Sequence, residues 1–447
     1  MSRYQHAIDA WQSTEWSPYF HKVGYVRLAQ GKERLEAIDQ DFEYFSNDSG
    51  QKRGPMVESN LKKSDRALHR MTKDQVDKGD FRTEGLRFPP GCFRRLKSRA
   101  DIKDILPSLP DEGFQENWQG YLNTHAGYAL ASESIKATHQ KCVELGVKFE
   151  LGERGHIVEL INSTGDPHGD DRDVVAIKAA DGTVHQHPPE MGQHLTILSL
   201  GAHLPRLLPV ASSQVMAKAW SVAHLELSAA EARVLKDAPV MNFSELGFWM
   251  APLWVSGDEL RGEDARVVRD NDNDEDQNGR YLLKLAAHGG GWTNFTESSS
   301  PPFSASVPPR HPISTIPASD EALLRHLVRT SLPKPLHDRP FIRTSICWCA
   351  DTPDSEYIID FVPSVRNVVL AGADSGHAFK MFPIAGGWLK QLVEAGMQQK
   401  KRWRWKANGA SDHGGAVGSD GPGQSVAWRA GWVRDLKDSG LKREGDN

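Results

Sequence analysis

The sequence predicts an α/β protein in which one layered α/β unit is interrupted by a second, mostly antiparallel β unit. Two observations carry this reading. Strand–glycine–helix units recur at residues 123–210 and 340–395, the grammar of an α/β layer. Between them, from Val215 to Asn294, short strands alternate with turns, as in an antiparallel sheet. A chain of 447 residues allows two or three domain-sized units.

In chain order, Arg3 to Thr14 reads as a helix and Gly24 to Gln30 as a strand. A charged stretch follows from Lys32 to Asp104, with an aromatic cluster around Phe81–Phe93. Asn123 to Leu145 reads as a long helix, because Ala126, Ala129, Ile135, Cys142 and Leu145 recur at roughly helical spacing. Gly146 stops it, and Val147–Leu151 then reads as a strand. After a polar turn at Gly165–Arg172, two short strands are expected around Val174–Ile177 and Thr183–His187. The apolar run Leu195–Leu200 ends in Gly201, and a short helix begins near His203. Asp320 is expected to cap a helix reaching Ser331. Strands at Phe341–Cys349, Tyr357–Phe361 and Val368–Ala371 lead through a glycine turn to a helix at Phe382–Ala395. The end, Asn408–Asn447, is rich in Gly, Ser and Asp and is expected to be poorly ordered.

Composition excludes several classes of function. Lys and Arg number 54 against 59 Asp and Glu, a net charge of −5, and mean hydropathy is −0.53. There is no global basic excess to draw in nucleic acid or an anionic membrane. No apolar run approaches the ~20 residues of a membrane-spanning helix. The first residues lack the apolar core of a signal peptide and the last lack an SKL-type signal, so a cytoplasmic protein is expected. The sequons at Asn47, Asn162, Asn242 and Asn294 are then idle. Four cysteines are too few for a disulfide framework.

The richest motif is Cys347–Trp348–Cys349–Ala350–Asp351–Thr352. Two cysteines one residue apart on a strand point to the same face. Zinc would need two more ligands, which the other cysteines do not supply, so no metal is expected. Downstream, Val368–Leu370 runs into Gly372, Ser375 and Gly376 and then a helix, a turn that lets backbone approach a ligand. Lys380 in the same segment suits a carboxylate. Asp270–Asp276 superficially matches a calcium loop, but its sixth position is Glu275 where glycine is required. Lys400–Lys406 mixes five cations with two tryptophans and could stack bases, although the net charge argues against it.

CWCADT, an aliphatic strand carrying Asp360, and SGHAFK together resemble the C-terminal signature of the FAD-dependent amine oxidases. That family includes sarcosine, pipecolate and saccharopine oxidases and the fungal fructosyl amino acid oxidases. The segment 126–152, LSLGAH at Leu198–His203 and LLKLAAHGGGWTN at Leu282–Asn294 resemble the family in the same order. The resemblance implies an incomplete glutathione-reductase-like Rossmann FAD-binding domain interleaved with an antiparallel-sheet substrate domain. Its parts would be 1–30, 115–212 and 335–405 for the cofactor, 31–114 and 213–334 for the substrate, and 406–447 as a flexible tail. It implies FAD as cofactor, joined through a thioether to Cys347. Val147, Gly201, Ala202, Gly372, Ser375, Gly376, His377, Phe379 and Lys380 match cofactor-contacting positions. Lys284 matches the lysine near flavin N5, Lys380 the one that pairs with the substrate carboxylate, and His288 a histidine of the sarcosine-oxidase-like members. The expected partners are an amino-acid-like amine and oxygen, acting on a monomer with no nucleic acid or membrane. CWCADT favours the fructosyl branch and His288 the secondary-amine branch; His288 carries more weight because it belongs to the substrate pocket. The family's opening G-x-G-x-x-G turn is not found in the chain. Weak FAD binding by the chain as written is therefore expected, with a non-catalytic binding or structural protein as the alternative.

Overall fold

The computed structural model describes residues 3–46, 88–111, 114, 117–163, 173–186, 194–256, 265–273, 279–299, 302–310, 312–352, 356–363, 365, 367–406 and 434–441. The polar turn at 165–172, part of the acidic stretch and of the early aromatic cluster, and most of the tail lie outside these residues.

Alternation along the strands builds the largest layer, a twelve-stranded sheet. Its central strand, Met216–Leu227, pairs antiparallel with Gly279–Ala287 on one side and Arg343–Asp351 on the other. The sheet continues through Gly247–Trp249, Val240–Phe243, Tyr25–Ala29, Gln119–Asn123 and Phe93–Leu96. Only the pairing of Val240–Phe243 with Tyr25–Ala29 is parallel among those five. One face carries Val26, Leu28, Met241, Phe243, Leu225, Leu283 and Leu285, all fully buried. They pack against the helix Ala318–Ser331 through Leu324, Leu327 and Val328. Period two then sends the intervening residues, Lys284 among them, to the opposite face.

Tyr25–Ala29, Gln119–Asn123 and Arg343–Asp351, which fall in segments expected to serve the cofactor, hydrogen-bond through their backbones into the large sheet. What remains as the layered α/β part is small. Val368–Gly372 lies between parallel Thr196–Leu198 and antiparallel Ile358–Phe361, with the helix Phe382–Ala395 beside it. Val368 and Val369 are fully buried, and the strand has partners on both edges.

Three expectations fail locally. The helix expected from Asn123 begins only at Ala131. Tyr128–Ala129 pairs instead with Phe20–His21, and Gly127 lies so close to the His21 carbonyl that no Cβ would fit. Val147–Leu151 forms no ladder; Val147 and Leu151 are 49% and 76% exposed, and Ile135 and Leu145 on the preceding helix are exposed too. Apolar residues here follow the expected pattern without a described layer to cover them. The tail is not wholly loose, because Arg434–Asp435 adds a parallel strand beside Trp292–Thr293 and Leu436 is buried.

Asp320 also departs from its expected role. The helix starts at Ala318, and the Asp320 carboxylate turns inward, 4% exposed. It accepts hydrogen bonds from Ser221 Oγ (2.6 Å), Trp292 Nε1 (2.8 Å) and Arg434 Nη2 (3.0 Å). The Arg434 guanidinium lies over the Trp292 ring at 3.9 Å. Asp320→Ala would strand a buried hydroxyl and a buried indole N–H, each costing about 1–3 kcal/mol. The expected loss in urea unfolding is about 3–5 kcal/mol. A loss under about 1 kcal/mol would mean that water replaces the carboxylate.

Candidate active site

Register places the functional residues in rows across the open face of the large sheet. Cys347 lies opposite Trp220, and Cys349 opposite Lys218. Two pairs along the same strands, Lys284, His224 and Arg343 stand side by side. The row between them runs Ser345, Val222, Ala286, Phe248, Asn242, Arg27, Tyr121, Arg95. A site assembled this way draws on strands from both ends of the chain.

Cys347 is exposed and forms no disulfide. Its pKa is lowered from 9.0 to about 6, chiefly by a hydrogen bond from Cys349. Burial works against this, the Lys284 charge adds to it, and Asp374 opposes it. Lys284 is the single exposed residue within its run of buried neighbours. His224, between Lys284 and Arg343, is pushed down to about 4 by burial first and then by those two cations. Beside Cys349 on the same face lies a fully buried ion pair, Lys218 with Asp351 at 3.9 Å. The Trp220 indole donates to the Gly289 carbonyl (2.9 Å), and Gly291 lies under its ring. That contact ties the loop after the Lys284 strand to the central strand, at the position opposite Cys347.

Two turns face this strand from the small parallel pair. Gly201–His203 follows Thr196–Leu198, and Gly372–Lys380 follows Val368–Gly372, both at the C-terminal ends where such sheets hold ligands. The second turn is held in an unusual backbone conformation: Ala373 (φ 49°) and Ser375 (φ 51°) are the described non-glycine residues with positive φ, and Gly376 follows at 75°. The Ser375 amide donates to the Ala350 carbonyl (2.8 Å), and its hydroxyl accepts from the Thr352 amide (3.0 Å). These bonds dock the turn onto the cysteine strand, with Gly376 against the Cys349 sulfur. Ordering of this kind over-determines a strained backbone, as functional turns require.

His288 closes the other end of the face. Its Nε2 lies 2.9 Å from Asn242 Nδ2, and its ring sits 5.9 Å from that of Phe248. Burial, and secondarily the Arg27 charge, push it down to about 4, so the imidazole is neutral. Arg27 itself is paired with Asp41.

Of the residues singled out from sequence, Cys347, Lys284 and His288 share this face, while Gly201, Ala202, Gly372, Ser375, Gly376 and His377 lie in the two turns. Lys380 is exposed at the far end of its turn, its carbonyl bonded by the Trp11 indole (2.9 Å). Phe379 packs instead with Trp11 and Phe382. Val147 follows the helix Ala131–Glu144 and carries no described contact with the site. In the basic segment Lys400–Lys406, Trp403 is buried against Tyr357 and Trp388, with Lys400 over its ring. Those rings serve the core. Among the described residues, no group of three His, Cys, Asp or Glu could hold a metal ion, and no helix is long and apolar enough to cross a membrane. Sequence reading missed Arg27, His224, Lys218 and Asp374, and noted Asn242 only as an idle sequon.

The FAD dependent oxidoreductase (DAO) family matches residues 2–392. L-saccharopine oxidase of Schizosaccharomyces pombe is 30% identical over 321 residues, 70% of this chain and 66% of that protein, just under two thirds of its length. Human peroxisomal sarcosine oxidase is 30% identical over 111 residues, 25% of each chain. Among solved structures, a modified fructosyl peptide oxidase from Aspergillus nidulans superposes with a TM-score of 0.71 at 25% identity, covering 99% of this chain and 85% of that one. The fructosamine oxidase of Aspergillus fumigatus gives 0.68 at 23%, a likeness of fold, over 99% and 82%. Cys347, Lys284 and the 372–377 turn offer an ionisable thiol, a cation and a close backbone, a donor set that fits a flavin. The chain belongs to the DAO family of FAD-dependent oxidoreductases.

Proposed function

We propose that this chain oxidises the C–N bond of a secondary or N-substituted amino acid with oxygen, giving an imine and hydrogen peroxide. The observation that carries the reading is the exposed Cys347 thiol, lowered to about 6 between Cys349 and Lys284 on the open face of the sheet. Bound FAD would supply the two-electron chemistry with the amine and with oxygen. Cys347 is the attachment residue, since a thiolate is the nucleophile that a thioether needs. Lys284 keeps a positive charge where negative charge develops. The neutral His288 and the Lys380 ammonium orient the amino acid.

The finer choice of substrate rests on His288. Its presence favours a secondary amine of the sarcosine, pipecolate or saccharopine kind, and the resemblance to saccharopine oxidase leans the same way. CWCADT supports the fructosyl kind. Denaturing the holoenzyme in acid and mapping the flavin-bearing peptide tests the reading. Flavin on Cys347 is expected, and flavin released freely or found on Cys349 would overturn the attachment. Lys380→Ala should raise KM for an amino-acid substrate about tenfold or more, as loss of a charged hydrogen bond of ~1.5–3 kcal/mol requires. An uncharged amine of similar shape should keep its KM. An unchanged KM for the amino acid removes Lys380 from the site.

A further inference from the structure

We infer that Asn242 is a positioning residue that fixes the proton of His288 on Nδ1 and so presents the neutral ring to the substrate as a hydrogen-bond donor. This rests on the proposed place of His288 in the substrate pocket.

The geometry begins with register. Parallel pairing sets Asn242 opposite Arg27, and antiparallel pairing sets it opposite Phe248, which lies opposite Ala286. The chain therefore reaches His288 two residues beyond Ala286, with its amide donating to the Leu246 carbonyl (3.3 Å) and its ring over Phe248. Asn242 Nδ2 stands 2.9 Å from Nε2. An amide nitrogen can only donate, so Nε2 must accept and the ring proton must sit on Nδ1. Among the described residues Nδ1 has no hydrogen-bond partner.

The charges around the ring agree. Arg27 faces it from the Tyr25–Ala29 strand, with Asp41, from the helix Lys32–Ser46, paired to Arg27. Burial and the Arg27 charge both disfavour an imidazolium, and a second donor at Nε2 does the same. A neutral ring with a free Nδ1–H takes an acceptor, either a carboxylate oxygen or an amine nitrogen with its lone pair free. It does not take an ammonium N–H.

The tautomer can be read without flavin or turnover. In long-range proton–nitrogen spectra of the ¹⁵N-labelled chain, the His288 signals are identified by their loss in His288→Gln. Wild type is expected to be protonated at Nδ1 and unchanged from pH 7.5 to 5.5. Asn242→Asp replaces the donor by an acceptor carboxylate, so the proton should move to Nε2 and the pKa should rise into the observed range. Asn242→Leu, similar in volume and without a donor, should lose the single-tautomer pattern and serves if the Asp variant folds poorly. In the flavin-loaded enzyme, Asn242→Asp should add a limb to the pH profile of kcat/KM at the new His288 pKa. A wild-type proton on Nε2, a ring titrating near 6.5, or a pattern indifferent to both substitutions would overturn the assignment. The expected spectra in a chain that oxidises no amine would leave the tautomer standing and remove the proposed function instead.

Discussion

Replacing Lys284 with methionine is expected to slow reaction of the reduced enzyme with oxygen by ~10²–10³, while reduction by substrate changes little. The physical reason is local. Lys284 is the one exposed side chain in a strand whose flanking residues, Leu283 and Leu285, are fully buried. Its ammonium therefore has a fixed root and a free head directed onto the face that carries Cys347. Oxygen gains negative charge as it takes the first electron, whereas the amine does not, so a fixed cation helps one half-reaction and not the other. Methionine keeps most of the side-chain volume. The second readout needs no flavin: without the lysine charge, the Cys347 pKa should rise from about 6, because a nearby cation favours the thiolate. Rapid-mixing kinetics and a thiol titration check the two effects separately. Equal loss in both half-reactions with an unmoved thiol would make Lys284 a structural residue.

Local signals in the sequence were sufficient for the half of the site that local chemistry builds. A strand, a glycine turn and a helix lie in one short run at 368–395, and Cys347 and Cys349 share a face by period alone, so both could be read without a partner strand. The other half depends on register between distant segments. Arg27 meets Asn242 only because Tyr25–Ala29 pairs with Val240–Phe243, two segments more than two hundred residues apart, and no local pattern encodes that pairing. The same limit explains the misplaced helix start. Ala126 and Ala129 fit a helical period, but Gly127 passes close to His21 and Tyr128–Ala129 is committed to a strand pair. Composition also gave no sign that 434–441 is ordered, because what holds it, Arg434 over Trp292 and the buried Leu436, depends on a distant strand.

Changing Cys349 to alanine should move the Cys347 pKa from about 6 back up to its ordinary 9.0 or beyond, because burial, the larger of the remaining effects, outweighs the Lys284 charge. The hydrogen bond from Cys349 is the largest cause of the lowered value, and only an ionised Cys347 gains fully from it. A shift of the full three pH units would change the thiolate-to-thiol ratio by about 10³ and drop the thiolate at pH 7 from roughly nine-tenths to about one-hundredth. The alkylation rate at one pH is a poor measure, because intrinsic nucleophilicity rises with pKa and offsets much of the loss. The midpoint of alkylation, or of thiolate absorbance, against pH is the proper observable. Attachment of flavin should slow in parallel, since it too needs the thiolate. Cys349→Ser retains a donor and should fall between wild type and alanine. A midpoint near 6 in the alanine variant would transfer the role to Lys284, and the double variant Cys349→Ala with Lys284→Met would then carry the whole rise.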